Sequence, residues 1–334
     1  MPSLTDIARA LEPDGTVTEI VNVLSRANPL LGDLQFREGN LPTGMTYSVW
    51  KSLPAAQKRR LNQGVAASSA RSEQKQVGMS IWAGFNEVDI KAAKLAGGAS
   101  TTGIDSYRSQ ELLAFVEGTS QEIATELIYG DETTDPDSIN GLASYYGEIS
   151  TDETNPGFNI IDGGGAASTN TSIYLVAHGL SSVFGIFPKG SKAGIDVIDR
   201  GVQIRDEVVG GVNTKLSVYT TEIGIDLGLV IKDWRSVVRI ANIDVTDLTA
   251  DASSGPNLAN LMQQAIDRLP LHLVDKAVFY CNRTINTYLT LQVGSKSNNM
   301  FAYGGNALAP TIFNAKGVPI KRQDCLLETE ATVA

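Results

Sequence analysis

Residues that build most catalytic and metal sites are scarce in this sequence. Among 334 residues there are two cysteines, Cys281 and Cys325, and two histidines, His178 and His272. Two cysteines outside any CxxC pair exclude a disulfide-stapled scaffold and favour reduced thiols in a core. The histidines lie far apart in sequence and have no second ligand at metal-binding spacing, which argues against a zinc site.

Long hydrophobic runs and a basic, apolar leader are also missing. No window approaches 18 uninterrupted apolar residues, and the N-terminus lacks a cationic stretch followed by an apolar one. We therefore expect a soluble protein that stays in a reducing compartment. Hydrophobic residues make up 42% of the chain and charged residues 19%. This composition indicates a folded core, and the length suits two lobes or one large mixed domain.

Positive charge is scarce overall but concentrated in one place. The chain has 27 Lys and Arg against 37 Asp and Glu, a formal net charge of −10. Residues 51–75, the basic segment, contain one acid and six basic residues: Lys51, Lys58, Arg59, Arg60, Arg71 and Lys75. Residues 131–162, the acidic segment, have no Lys or Arg and eight acids: Asp131, Glu132, Asp135, Asp137, Glu148, Asp152, Glu153 and Asp162.

The sequence leaves three interpretations of these two segments open. Each segment forms a solvated face, or the two meet within one subunit or between neighbouring subunits. In the third interpretation the basic segment binds nucleic acid. That interpretation is weakened by the acidity of the whole chain and by the lack of interleaved aromatic residues for base stacking.

No motif has complete catalytic, nucleotide-binding or metal-binding spacing. Residues 185–192 have the glycine spacing of a phosphate-binding loop but end in Gly-Ser-Lys, which misplaces both the lysine and the hydroxyl. The glycines at 163–165 do not form GxGxxG, and the acids at 131–137 lack the central glycine and distal glutamate of a calcium loop. A GxSxG motif is absent. We predict a protein that is not an enzyme and has no catalytic residue, cofactor or metal.

The N-terminal part of the chain predicts an arm and a long hairpin. Residues 1–39 contain a short helical pattern at 4–11 and few other apolar residues, so we expect this arm to be ordered only in an assembly. Extended patterns at 45–49 and 77–85 flank the basic tip. Such a hairpin is too long for a tight turn, and long loops of this kind are commonly functional.

The rest of the chain predicts an α+β fold. A helical pattern over 104–129, capped by Thr101 or Thr102, places Phe115 on a core face against a sheet. Strand patterns follow at 172–177, 183–187, 203–208, 216–219, 228–231 and 237–242. The remaining patterns are two helices and two short extended segments, at 257–269, 273–292, 318–320 and 325–327.

Several short segments add to this order of elements. Around the hairpin they are Asn40-Leu41-Pro42-Thr43-Gly44, Leu53-Pro54, Leu61-Asn62-Gln63-Gly64-Val65 and Glu87-Val88-Asp89. After the long helix they are Ile128-Tyr129-Gly130-Asp131, Asn140-Gly141-Leu142-Ala143, Ile173-Tyr174-Leu175, residues 185–194, Tyr280-Cys281-Asn282-Arg283-Thr284 and Gly317-Val318-Pro319-Ile320. Together they resemble tailed-phage major capsid proteins of the Hong Kong 97-type fold, in the short-tailed podovirus branch. The likeness runs from about residue 40 to the C-terminus, although residues 47–50 are bulkier than expected.

This resemblance implies a division into four parts. They are an N-terminal arm at 1–39, an extended loop at 40–86, a peripheral domain with a spine helix at 87–156, and an axial domain at 157–334 with strands returning to the peripheral domain. It also implies that the loop reaches over a neighbouring subunit. We therefore expect its six basic residues to contact the neighbour's carboxylates, first among them Asp131, Glu132, Asp135 and Asp137.

The function implied is that of a structural protein. Copies would assemble into hexamers and pentamers of an icosahedral head around double-stranded DNA, without cofactors and without sequence-specific DNA binding. Scaffold, portal and decoration proteins are the further expected partners. The location implied is the virion, after assembly in the bacterial cytoplasm. Two alternatives remain open: an encapsulin-like cellular shell that holds a cargo enzyme, and an enzyme with a carboxylate pair that has no sequence signature.

Overall fold

A computed structural model describes residues 26–97, 100–166, 168–191, 194, 196–250, 255–294, 301–303, 313–315 and 317–334. The helix expected at 4–11 lies outside these residues. The described helices include none that is long and apolar enough to cross a bilayer.

Helices and strands both contribute to the fold. The α-helices are α1 (Pro29–Asp33), α2 (Ile90–Ala96), α3 (Thr101–Tyr129), α4 (Leu142–Tyr145), α5 (Leu258–Arg268) and α6 (Arg283–Gly294). The first strands are β1 (Phe36–Glu38), β2 (Gly44–Ser52), β3 (Arg71–Gly78), β4 (Ser80–Asp89), β5 (Ile160–Asp162), β6 (Asn170–Ala177) and β7 (Val183–Phe187). The later strands are β8 (Asp196–Val209), β9 (Val212–Ile231), β10 (Val237–Asp244), β11 (Ala277–Cys281), β12 (Phe301–Tyr303), β13 (Phe313–Ala315) and β14 (Val318–Arg322). Short 3₁₀ turns lie at Pro156–Asn159, Trp234–Ser236, Val245–Asp247 and Leu271–Lys276.

The strands form two sheets and a separate hairpin. The first sheet has the order β1-β7-β9-β4, and β8 also pairs with β9. The second sheet has the order β12-β13-β14-β11-β6-β10-β5. Strands β2 and β3 pair only with each other, from Gly44 opposite Gly78 to Ser52 opposite Arg71. This separation leaves the hairpin free to extend away from both sheets.

The main core lies between α3 and the two sheets. The C-terminal part of α3 buries Ile123, Leu127 and Ile128 against one face of the second sheet and against side chains of β9. Successive side chains of a strand point to opposite faces, so the other face of the second sheet packs separately against α5 and α6. We call the side of the first sheet under α3 the helix face and the opposite side the open face.

The structure corrects the expected details of the long helix. Helix α3 is capped by Ser100, whose hydroxyl accepts a hydrogen bond from the Gly103 N–H at 3.1 Å, and not by Thr101 or Thr102. The expectation that Phe115 lies on a core face is wrong. Its side chain is half-buried, and its ring lies over Gly84, where a Cβ atom would sit 2.3 Å from the ring's Cζ. The Phe115 ring thus packs on the backbone of Gly84 and does not enter the main core.

Other expected elements are divided or joined differently. The helix expected at 273–292 is a 3₁₀ turn, then β11, then α6, because residues 277–281 pair between β6 and β14. The single strand expected at 77–85 breaks at Met79 into β3 and β4, which belong to different sheets. The separate strands expected at 216–219 and 228–231 are one strand, β9. Residues 325–327 are not a strand, although Cys325 and Leu326 are buried.

The arm is also more integrated than its composition predicts. Leu30 and Leu34 are buried in the main core, and β1 pairs in parallel with β7. Asp33 accepts hydrogen bonds from Lys321 Nζ at 2.6 Å and from the Tyr280 hydroxyl at 2.6 Å. The expectation of order only in an assembly is therefore wrong for residues 27–39, while residues 1–25 lie outside the described chain.

Candidate assembly interface

The base of the β2–β3 hairpin is held firmly against the open face of the first sheet. Met45 and Tyr47 are buried against Phe184, Ile186 and Val230. The Tyr47 hydroxyl donates to the Ile231 carbonyl at 2.9 Å. Toward the far end of the hairpin the side chains become exposed. The hairpin is therefore a fixed projection from the sheet.

The tip of the hairpin, residues 53–70, contacts little of its own chain. All its residues are exposed, and Leu53 and Leu61 expose 76% and 90% of their surface. Lys58, Arg59 and Arg60 lie in this tip. In the described part of the chain, the basic segment makes one ion pair, between Lys51 Nζ and Glu73 at 3.4 Å. The other five cations have no ion-pair partner in the described chain, and all of them except the half-buried Lys75 are exposed.

Several carboxylates of the acidic segment accept hydrogen bonds from neighbouring residues of the same turn. The Asp131 carboxylate accepts from the Thr133 N–H and from the hydroxyls of Thr133 and Thr134 at 2.6–3.0 Å. These hydrogen bonds lower the pKa of Asp131 to about 2. Asp152 has its pKa lowered in the same way by the N–H and hydroxyl of Thr154. Hydrogen bonds to the charged form favour it, so both carboxylates are charged at neutral pH.

The two charged segments do not meet within one subunit. The structure describes every residue of 51–75 and of 131–162, and among these residues no ion pair joins the two segments. Outside the basic segment, at the hairpin base, Glu132 Oε1 lies 3.9 Å from the position that a Cβ atom on Gly78 would take. Glu132 also accepts from the Asn140 side-chain amide at 2.9 Å. The predicted residues are therefore exposed, apart from the half-buried Lys75 and Asp131, and a single copy does not bring the two segments together.

The described part of the phosphate-loop-like segment, residues 185–191, uses its backbone groups for hydrogen bonds within the fold. Residues 183–187 form β7, between β1 and β9. The Gly190 N–H donates to the Glu38 carboxylate at 2.7 Å. A carboxylate already occupies the donor that a phosphate would need, and its charge would repel an anion. The glycine N–H groups at 163 and 165 likewise donate to carbonyls of residues 241 and 242.

Metal-binding geometry is absent from the described residues. They contain no group of three or more His, Cys, Asp or Glu side chains placed to hold a metal ion. Cys281 and Cys325 are free and buried, and burial raises the pKa of the Cys281 thiol to about 12. A thiol with so high a pKa is a poor nucleophile at neutral pH.

A second projection was not foreseen from the sequence. Strands β8 and β9 continue beyond the end of β4, where Asp89 pairs with Val218, and form a two-stranded ribbon. Gly210 and Gly211 turn this ribbon at φ values of 58° and 82°. A Gly-Gly pair between two β-branched runs is a known hairpin signal and could have predicted it. The ribbon exposes Ile204, Val208 and Val212, so it is a further candidate contact surface.

The comparisons with known proteins agree with this architecture. The family model described as Major capsid protein GP7 matches residues 12–334, so the chain belongs to that family. A near-atomic structure of bacteriophage Epsilon15 shares 26% sequence identity, covers 100% of this chain and 97% of its own, and gives a TM-score of 0.74. No curated protein sequence matches the chain.

Two more distant solved structures are also similar to this chain. The capsid of bacteriophage JBD30 is 12% identical over 92% of this chain and 95% of its own, with a TM-score of 0.50. The holo-SrpI encapsulin complex from Synechococcus elongatus PCC 7942 is 10% identical over 74% of this chain and 97% of its own, with a TM-score of 0.43.

The sequence-based expectations of fold and class are therefore confirmed. The chain is a structural phage capsid protein with the Hong Kong 97-type α+β fold, and the podovirus branch fits the similarity to the Epsilon15 structure. Such a protein is part of the virion and works by assembling with copies of itself.

Proposed function

We propose that the protein builds the hexamers and pentamers of an icosahedral phage head around double-stranded DNA. The observation that carries the proposal is the fixed hairpin with its bare, basic tip, in a chain of the capsid family. An exposed apolar and charged projection marks an interaction site. A closed shell repeats this contact in every copy, so the contacts together stabilise the shell even when each one is weak.

The proposed division of labour follows the four parts expected from the sequence. Residues 40–86 are the extended loop, residues 87–156 hold the peripheral domain with α3, and residues 157–334 are the axial domain. The pairing of residues 87–89 of β4 with residues 218–220 of β9 supports a return of the axial part to the peripheral domain. Residues 1–39 are the arm, of which β1 and α1 are packed on the subunit itself.

The proposed contact between copies joins the basic segment to the acidic segment. The single subunit leaves Arg59 and Arg60 without acidic partners, and their planar guanidinium groups suit bidentate pairing with carboxylates. Among the acids, Asp137 and Glu132 are exposed at the surface that follows α3. Exposed ion pairs are weak and screened by salt, so they should act on the rate of assembly more than on folding.

The double variant Arg59→Glu with Arg60→Glu tests this contact. We expect empty shells to form slowly, with the defect growing as ionic strength falls, as measured by light scattering and electron microscopy. The matched control is Lys91→Glu with Lys94→Glu, the same charge change on exposed residues of α2. Reversing Glu132 and Asp137 to Lys should partly restore assembly. Asp131 is left intact because it holds its own turn together.

Two other outcomes would overturn the proposed contact. If empty shells form normally and only DNA packaging or retention suffers, the basic segment faces the genome. If neither process changes, the segment is a solvated face. Neither outcome touches the family membership of the chain, which rests on other observations.

The proposal extends to the surroundings of the assembly. Scaffold, portal and decoration proteins are the proposed partners, and assembly takes place in the bacterial cytoplasm. Two free, buried cysteines suit a reducing compartment. The packaged DNA is enclosed without sequence-specific contacts, and a protein with a formal net charge of −10 does not trap a polyanion against its inner wall.

A further inference from the structure

The open face of the first sheet has an apolar area that the described chain leaves uncovered. Successive side chains of β4 alternate between the two faces, and Trp82 lines a cleft of about 330 Å³ between β4 and α3 on the helix face. Ile81 and Phe85 therefore lie on the open face, where they expose 79% and 59% of their surface. The exposed Ile198 of β8 lies on the same face, because Phe85 and Ile198 pair with Glu222 of β9 from its two sides. Neighbouring exposed apolar side chains of this kind mark an interaction site.

Gly224 of β9 lies at the centre of this apolar area. It pairs with Ala83 of β4 on one side and with Asp196 of β8 on the other. A Cβ atom at Gly224 would meet no atom of the described chain within 4 Å, and its φ angle is outside the left-handed region. The middle of the open face therefore has free space above the backbone. We call the following residues the open-face patch: Ile81, Ala83, Phe85, Ile198 and Gly224.

The hairpin of the same subunit covers a different part of the open face. Its base packs on Phe184 and Val230. A Cβ atom at Gly228 would lie 2.7 Å from the Gly78 carbonyl oxygen, so the end of β3 runs close over β9 at this point. Gly224 is four residues away from Gly228 along β9, roughly 13 Å in an extended strand. The open-face patch therefore lies beside the hairpin base and stays free in the single subunit.

The charges beside the patch are opposite in sign to those of the hairpin. Asp196 is the partner of Gly224 on β8, and Asp226 follows Gly224 by two residues, so both acids lie on the open face. Neither acid makes an ion pair with a described residue, whereas Glu222 on the same face is already paired with Arg200. Two unpaired acids beside an apolar area suit a partner that is both apolar and basic, because complementary charges fix the orientation of a contact.

The far end of the β2–β3 hairpin has this combination of side chains. Trp50 and Leu53 are exposed there. Arg71, which pairs with Ser52 across the hairpin, is also exposed and has no ion-pair partner among the described residues. The hairpin rises from the open face of its own subunit. Because every copy in a closed shell turns the same face outward, a hairpin that extends from one copy runs along the side on which the next copy presents its open face.

We infer that the far end of the hairpin of one copy packs on the open-face patch of a neighbouring copy. Trp50 and Leu53 cover the apolar side chains of the patch, and Arg71 pairs with Asp196 or Asp226 beside it. This inference rests on the proposed function, since it needs a shell in which the hairpin contacts a neighbour. It adds the surface that receives the hairpin, and it leaves the cations of the tip for the acidic segment.

A bulky cation at the centre of the patch tests the inference in the full-length protein. Gly224→Arg has free space in the subunit, but the new side chain would fill the patch and repel Arg71 of the neighbouring copy. We expect shells to form about tenfold more slowly, as measured by light scattering, with an unchanged midpoint of urea unfolding. The matched control is Gly118→Arg on α3, an exposed glycine beside the cleft where a Cβ atom also meets nothing within 4 Å. The control should assemble at the rate of the parent protein.

Paired cysteines give a second measurement that does not depend on the rate of assembly. In assembled particles under mild oxidation, Leu53→Cys with Phe85→Cys should form disulfides between subunits, seen as covalent oligomers on a denaturing gel. Leu53→Cys with Gly118→Cys is the control, because Gly118 lies on the helix side of the sheet. The native cysteines are both buried and add little background.

Several results would overturn the inference. They are equal assembly rates for the two arginine variants, equal crosslinking of the two cysteine pairs, and a disulfide within one subunit. Slow assembly of Gly118→Arg alone would assign the hairpin to the helix side and would overturn it as well. If Gly224→Arg does not fold, the cysteine pairs decide the question. Failure of the proposed function is a separate result, because the parent protein would then form no shells.

Discussion

The buried pair of Arg239 and Glu330 fixes the C-terminal segment to the second sheet. Arg239 Nη2 lies 2.8 Å from Glu330 Oε2, and both side chains are about 95% buried. Arg239 also donates to the Tyr146 carbonyl at 2.8 Å, and Glu330 accepts from the Tyr129 hydroxyl at 2.5 Å. The pair therefore joins β10, the C-terminal segment and the end of α3 through one hydrogen-bonded group.

Removing one partner of this pair should be severe. Glu330→Ala leaves the Arg239 charge buried without compensation, and we expect the free energy of unfolding of the subunit to fall by about 3–5 kcal/mol. Urea unfolding measures this loss. Glu328→Ala, an exposed acid two residues away, is the control and should cost within about 1 kcal/mol. Equal effects of the two variants would show that the pair is not compensating a buried charge.

His178 gives the subunit a predicted sensitivity to acid. Its Nε2 lies 2.7 Å from the Tyr280 hydroxyl, which donates to Asp33. This network assigns the imidazole proton to Nε2. Burial lowers the pKa of His178 to about 4, although nearby Asp33 acts in the opposite direction. The neutral ring is thus the form that fits between β6, β11 and α1.

The sign of the pH effect follows from this lowered pKa. Below pH 6.5 the unfolded chain binds the proton and the folded chain does not, so the contribution of His178 to stability is complete above pH 6.5 and is lost toward pH 4. Between pH 7 and 5 we expect this group to remove about 2 kcal/mol from the free energy of unfolding. His178→Gln should flatten that dependence in urea unfolding, and substitution of the exposed His272 should not. An unchanged slope in His178→Gln would contradict the assignment.

At the scale of elements, α3 is packed into the fold near its two ends, with most of its buried side chains at the C-terminal end. Its 29 residues span roughly 43 Å, but the fully buried side chains are Tyr107 near the start and Ile123, Ala124, Leu127 and Ile128 near the end. The middle of the helix borders the open cleft beside β4. Stability should therefore depend on the C-terminal half far more than on the middle.

Two truncations on the same helix test this distribution. Leu127→Ala should cost about 2–5 kcal/mol, because the side chain is fully buried in the main core. Phe115→Ala should cost less than Leu127→Ala, although it removes more atoms, because its ring is half-exposed. Thermal or urea unfolding of both variants gives the order. The reverse order would show that the Phe115 ring is more deeply buried in the folded subunit than the Leu127 side chain.

Elements with a complete local signal were predictable from the sequence. Strand β7 occupies the predicted residues 183–187, and α5 lies within the predicted 257–269. The start of α5 had a clear signal, because the Asn257 side chain accepts from the Asn260 N–H at 3.2 Å. Local capping and a single apolar face are enough for such elements.

The features that the sequence did not predict depend on contacts between residues that are far apart in the chain. Residues 277–281 are a short apolar run, which periodicity alone cannot distinguish from part of a helix, and only pairing with β6 and β14 makes them a strand. Similarly, Arg239 and Glu330 are 91 residues apart, so no local pattern announces the buried pair. The basic tip of the candidate interface was predictable because charge is a property of composition. The acidic segment stays a predicted partner surface, because a single copy holds no contact between subunits.

At the scale of the whole molecule, two projections extend from the packed sheets. One is the β2–β3 hairpin with its basic tip, and the other is the β8–β9 ribbon with exposed aliphatic side chains. Such projections contact little of their own subunit. They suit a protein that assembles with other copies of the same chain. The free subunit should therefore be stable but associate readily at its two exposed ends.

The most direct test is a cryo-EM reconstruction of particles formed by the purified full-length protein. The account predicts closed icosahedral shells with rings of five and six subunits, in which residues 44–78 of each copy lie on an adjacent copy. Particles from infected cells should contain DNA, whereas a cargo protein inside would identify a cellular shell. A small oligomer of fixed size, or a shell in which every hairpin contacts only its own subunit, would contradict the account.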